Sequence, residues 1–177
     1  MSSPLGKTMS GFFWLLIAVT VGVYLIILLW SLPIISRDAG GLVPFDLRPA
    51  GYSTEEARTF LAALGEAGRA QYQGPQRMLD TVYPALMAVS LVLALWRLWP
   101  RGWAIALAGV AVLGALCDYA ENLAVADLLR LGADGIDEEV VAIAALMTIL
   151  KSVFTTVAML AVLAGIGRLI WQRRRPV

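Results

Sequence analysis

Asp118, Glu121 and Asn122 stand within an apolar run that begins near Trp103, and Lys151 stands within another that begins near Val140. Ionisable groups inside a membrane span are costly, and chains keep them where they pair, line a cavity or do chemistry. Spacings of three and four put Asp118, Glu121 and Asn122 on one helical face. Asp80 opens a third apolar run, with Tyr83 one turn deeper on the same face. Asp118, Glu121 and Asp80 are therefore the candidate catalytic carboxyls, one as proton donor and another as base. Isomerisation or hydrolysis of a lipid or isoprenoid would suit such a pair. Lys151 could instead hold a ligand carboxylate or phosphate. The plainer reading of Lys151 with Asp118 or Glu121 is a structural ion pair that sets helix register.

The composition supplies the frame for these residues. Apolar residues make up 59% of the chain and charged ones 15%, and the mean hydropathy of +0.76 lies above the range of soluble domains. There is no His and one Cys, Cys117. That removes disulfides, His-based triads and the usual zinc and haem sites, so no metal and no cofactor is expected. A net charge of +1 argues against a nucleic-acid partner.

The expected fold is all-α, a single integral membrane domain over 1–177 with four transmembrane helices at about 11–32, 79–96, 103–125 and 142–168. A secretory signal peptide is the competing reading of 11–32, but the run is too long and no A-x-A-like site follows it. Pro33 is expected to mark its exit. Segment 37–78 is the one sizeable hydrophilic stretch. Its Gly- and Pro-rich part, 38–51, reads as a loop. Ser53 to Glu56 has the form of a capping box, and 54–73 reads as an amphipathic helix with an interruption near Gly65 or Gly68. It is expected to pack over the mouth of the bundle, with Arg69, Tyr72 and Arg77 folding down over that mouth. Gly102, Ala106, Ala108, Gly109, Ala111, Gly114 and Ala115 supply small residues for close helix packing. Residues 127–139 read as a short acidic loop.

Lys7, Arg97, Arg101, Arg168 and Arg173 to Arg175 fall on one side of the threaded chain, and every acid falls on the other side or in that half of a span. The positive-inside pattern places both termini in the cytoplasm of a multi-pass protein of the bacterial inner (plasma) membrane. Threading also sets depth. Asp118 lies about 10 Å short of the end of its span, and Lys151 at a similar ~10–14 Å, so the two meet at one level. The candidate ligand-binding set is Asp80, Tyr83, Asp118, Tyr119, Glu121, Asn122, Lys151, Arg69 and Tyr72.

Gly51-Tyr52-Ser53, Glu56-Ala57, Leu64-Gly65, Gly68-Arg69, Tyr72, Leu79-Asp80 and the later Asp118-Tyr119-x-Glu121-Asn122 resemble a family of small bacterial four-transmembrane-helix proteins. That resemblance covers most of the chain beyond the first span and implies the fold without implying a function. In architecture alone the chain is similar to the emopamil-binding and sigma-2 receptor group, compact four-span bundles with acidic residues in a sideways-opening pocket. It lacks the histidine of that group's isomerases. Three functions remain open at this point: binding of a lipid-like or amphiphilic molecule near the outer leaflet, carboxylate acid–base catalysis on such a molecule, and service as an accessory subunit. The expected partners are membrane lipids and an amphiphilic ligand, with an oligomer or a larger membrane complex admissible. A proton or ion pathway is disfavoured, because the inner halves of the spans carry no ionisable residue.

Overall fold

A computed structural model describes residues 4–174. The chain is an all-α membrane protein, 89% helical and without strands among the described residues. Four helical stretches are long and apolar enough to cross a bilayer: Gly11–Asp38, Glu66–Leu98, Arg101–Gly135 and Glu138–Gln172. Each expected span falls inside one of them, and each helix overshoots its expected end. At 35 residues, the third and fourth are roughly 50 Å long, against about 30 Å of hydrocarbon.

Two prolines expected to end or unsettle helices are instead absorbed. α1 (Pro4–Ile26) passes through a π-helical turn, Ile27–Ser31, straight into α2 (Leu32–Asp38). Pro33 falls just after that π turn, in the first turn of α2, and the helix does not end there. The second crossing does the same: α4 (Glu66–Gln71) runs through a π turn, Tyr72–Gln76, which contains Pro75, into α5 (Arg77–Leu98). The widened ladder of a π turn accommodates a local distortion without breaking the rod. The two π turns face each other, and Gln71 Nε2 donates to Ser31 Oγ at 2.9 Å.

The expected amphipathic helix over 54–73 is therefore two pieces. α3 (Thr54–Ala63) is a separate helix, while everything after Leu64–Gly65 belongs to the second crossing. Extended backbone at Leu64 and Gly65 makes the break. Gly68 does not interrupt the helix. It makes room for Asp38, whose Oδ2 accepts from the Gly68 N–H at 2.8 Å, and a Cβ at Gly68 would stand 2.5 Å from that oxygen. Asp38, at the end of the first crossing, thereby caps the start of the second.

α3 packs over the end of the bundle as expected. Phe45, Phe60 and Leu61 are fully buried beneath it together with Leu128, and Phe45 lies 4.7 Å from the Tyr52 ring and 4.8 Å from Phe60. Arg48 spans the same three rings and donates to the Val43 carbonyl. The capping box is complete, with Ser53 N–H donating to Glu56 at 2.7 Å. The Ser53 backbone N–H and then its hydroxyl hold the Glu56 carboxyl below its ordinary pKa.

α6 (Arg101–Gly135) and α7 (Glu138–Arg174) form the most extensive helix pair. The expected acidic loop at 127–139 is mostly helix, broken at Gly132 by a backbone of φ +71. Arg58 donates to the Ala133 and Ile136 carbonyls there, both at 3.1 Å. Of the small residues expected at helix contacts, Ala111 and Gly114 are buried, and a Cβ on Gly114 would lie 3.0 Å from Thr155. Gly102 and Gly109 face open space. At the far end, Trp99 Nε1 donates to Ala161 O at 3.0 Å and Arg168 to Leu98 O at 2.6 Å. In the expected basic tail, Arg175 lies outside the described residues.

Because a depressed carboxylate stabilises the fold above its unfolded pKa, the first turn of α3 should hold at neutral pH. It should loosen only as acid titrates Glu56 through its lowered value. The protection of the α3 amides against hydrogen exchange, taken relative to the intrinsic rate at each pH from neutral to strongly acidic, should fall there and not before. Ser53→Ala should raise that exchange about fivefold at neutral pH.

Candidate functional site

Lys151 and the α6 acids meet, as their depths require. Lys151 Nζ forms an ion pair with Glu121 Oε2 and a second, at 3.4 Å, with Asp118 Oδ1. The lysine pairs with both acids rather than choosing one. Glu121 is wholly buried, while the side chains of Asp118 and Lys151 keep only 20% and 15% of their surface, so the pair lies out of open solvent. Thr148, one turn before Lys151, donates to Glu121 Oε1 at 2.5 Å. The Tyr52 hydroxyl, from the cap, is buried within electrostatic reach of Glu121 and has no hydrogen-bond partner among the described residues. Burial and then the Glu121 charge push its pKa above the ordinary phenol value, so it stays neutral.

Sequence reading missed Asp46. It stands on the 3₁₀ turn Phe45–Leu47 and accepts a short hydrogen bond from the Tyr72 hydroxyl. Nothing in the periodicity of 38–51 marks it. The clue was chemical: an acid set between Phe45 and Leu47, in a stretch otherwise charged only at Asp38 and Arg48. Gln76 was missed as well. It is fully buried, and its amide donates to both oxygens of Asp80, at 2.8 and 3.0 Å. The second π turn brings Tyr72 and Gln76, its two buried residues, to Asp46 and Asp80.

The other expected site residues are placed as follows. Asn122 Nδ2 donates to the Asp80 backbone carbonyl at 3.0 Å, and the Tyr119 hydroxyl to that of Thr81 at 2.9 Å. The first bond has a clear cause. Pro84 has no N–H to offer the carbonyl four residues earlier, and that carbonyl belongs to Asp80. Asn122 supplies the missing donor from α6. Tyr83 stacks on Tyr24, with centroids 5.7 Å apart. Arg69 does not join the ionic cluster, for its guanidinium is spent on the Leu129 and Leu61 carbonyls.

Three cavities adjoin these groups. One of about 180 Å³ is bounded by Asp46, Asp118, Lys151, Tyr24 and Tyr83. It shares Tyr24, Tyr83, Met87, Leu91 and Thr155 with an apolar groove of about 520 Å³ between α1, α5 and α7. α1 is held to the bundle chiefly by α5, where Thr20 and Ser90 share a buried hydroxyl bond of 2.9 Å. The third, about 250 Å³, lies between α5 and α6 on the other side of Asp46, which lines it too.

No family model, curated protein or solved structure matches the chain.

Two outcomes follow from this geometry. Lys151→Met should destabilise the protein in detergent by about 3 kcal/mol, since it strands two buried carboxylates. Adding Glu121→Gln should recover part of that loss; an additive double mutant would show that the pair is not coupled. Asn122→Leu should cost about 1 kcal/mol in wild type and much less in a Pro84→Ala background, where the helix regains its own donor.

Proposed function

We propose that this protein binds a lipid-like, amphiphilic molecule. Its polar head would sit beside Asp46, Asp118 and Lys151, and its apolar chain along the groove between α1, α5 and α7. The observation that supports this reading is that the two cavities adjoin. Tyr24, Tyr83 and Met87 form part of both walls, so a charged chamber lies directly against an apolar trough. Ligand sites are commonly several hundred cubic ångströms, mostly apolar, with a few convergent polar groups. A bare structural ion pair would need no such space around it.

The charge pattern of the chain supports a place in the bacterial inner membrane with both termini cytoplasmic; the charged chamber would then lie towards the outer leaflet, and the groove would run from Tyr24 and Tyr83 into the cytoplasmic half at Ala94 and Leu163. The Gly51-Tyr52-Ser53 and Asp118-Tyr119-x-Glu121-Asn122 motifs support kinship with the small bacterial four-span proteins that they resemble.

Extraction in native-lipid discs followed by mass spectrometry of bound small molecules tests the reading. Wild type should carry an enriched amphiphile. Met87→Trp at the junction and Leu163→Trp at the apolar end should each lose it at unchanged melting temperature. Equal lipid profiles in all three proteins would remove the proposal.

A further inference from the structure

The wall of the charged chamber constrains the head of the molecule that the groove takes. We infer, resting on the binding reading above, that this head is uncharged and carries hydroxyl groups, like a glyceryl group, and that it is borne on a single apolar chain.

The chamber offers donors and acceptors together. Lys151 Nζ has three N–H donors and uses two of them, on Glu121 and Asp118. Asp118 meets the lysine through Oδ1, and Asp46 meets Tyr72 through Oδ2. The second oxygen of each carboxylate forms no hydrogen bond among the described residues. Nor do the hydroxyls of Tyr24, Tyr83 and Thr155, three further residues of the chamber wall.

A charged head fails one side of this wall. A carboxylate or phosphate only accepts hydrogen bonds, and it would face Asp46 and Asp118 with like charge. Lys151 has no charge left for an anion, because two carboxylates already balance it. An ammonium only donates, so it leaves the remaining Lys151 N–H without an acceptor and sets a second cation beside the first. A hydroxyl does both: it donates to Asp46 or Asp118 and accepts from Lys151 or a tyrosine. Polar groups left unmade out of water are costly, and this two-way match is the source of the selectivity.

Size narrows the choice. At ~30 Å³ for a water, the 180 Å³ chamber holds about six groups of that size. A glyceryl head fits within that, whereas a phosphate ester that also carries an amine exceeds it. Tyr83, Met87, Ser90, Leu91 and Ala94 line the groove along one face of α5 for ~16 Å. An extended chain of about thirteen bonds covers that length. The groove's 520 Å³ takes roughly seventeen such groups, room for one chain and not for two.

The test uses the full chain in phosphatidylcholine discs, as wild type and as Met87→Trp, which blocks the junction. Each is loaded with dodecyl glyceryl ether, dodecanoate, dodecyl phosphate or dodecylammonium at equal concentration. Native mass spectrometry then counts the copies retained per protein, taken as the excess over Met87→Trp. Wild type should retain the glyceryl ether about tenfold more than any of the three charged heads. Glu121→Gln leaves Lys151 a single carboxylate without itself lining the chamber, and it should raise dodecanoate retention about tenfold. Asp118→Asn gives the same readout should Glu121→Gln fail to fold. If wild type retains no amphiphile above Met87→Trp, the binding reading falls and this inference with it. A charged head retained as well as the glyceryl ether would overturn the head assignment alone, and so would unchanged dodecanoate retention in the variant.

Discussion

One ammonium group held between two carboxylates of a neighbouring helix sets the geometry of this bundle. Lys151 reaches from α7 to Glu121 and Asp118 on α6, and Thr148 adds a hydroxyl from one turn earlier. Contacts spread over a turn of each helix leave the pair no freedom to slide. Gly114, where a Cβ would crowd Thr155, lets the two backbones approach just beyond this level. Buried ion pairs are often neutral for stability against apolar replacements, so register and local charge are the stronger reasons for this one.

The lysine neutralises part of the charge and no more. Asp46 and Asp80 lie close by and are met by a phenol and an amide. Such groups pack badly against lipid-like side chains, and the protein surrounds them with space instead. Cavities lie on both sides of Asp46. The aromatic cap of Phe45, Tyr52 and Phe60 beneath Arg48 fixes the turn that carries this acid. The hydrophilic segment is thus both a cover for the bundle end and the source of one wall of its interior.

Much of the frame was legible in the residues. Long apolar runs locate the four crossings, and a rise of 1.5 Å per residue brings Lys151 level with Asp118. Signals with no period were not legible. Asp46 lies in a loop, where no repeat distinguishes an inward acid from a solvated one. Pro33 reads as a terminator because the rule that a proline ends a helix takes no account of a π turn just before it. Gly65 and Gly68 look alike as breakers, yet one breaks the helix and the other receives Asp38. Asn122 and Tyr119 were read as ligand contacts from their type. Their donors go to backbone carbonyls, one of them freed by Pro84, and only the fold brings those carbonyls within reach.

The two ends of the bundle differ in a way that bears on transport. At the acidic end the first two crossings carry π turns, Pro84 frees a carbonyl, and cavities open. At the opposite end Gly165 lies against Leu98, Trp99 donates across to α7, and Arg168 covers the Trp99 ring at 5.1 Å. The groove is lined by apolar side chains and five hydroxyls, and two of these, on Thr20 and Ser90, bond each other. A proton relay needs groups that can both take and release a proton along its length, and this wall offers none of the carboxylates or amines that serve in pumps. On the binding proposed above, the groove would hold a flexible apolar chain by its charged end, and the tight lock at the far end would work against passage through the bundle.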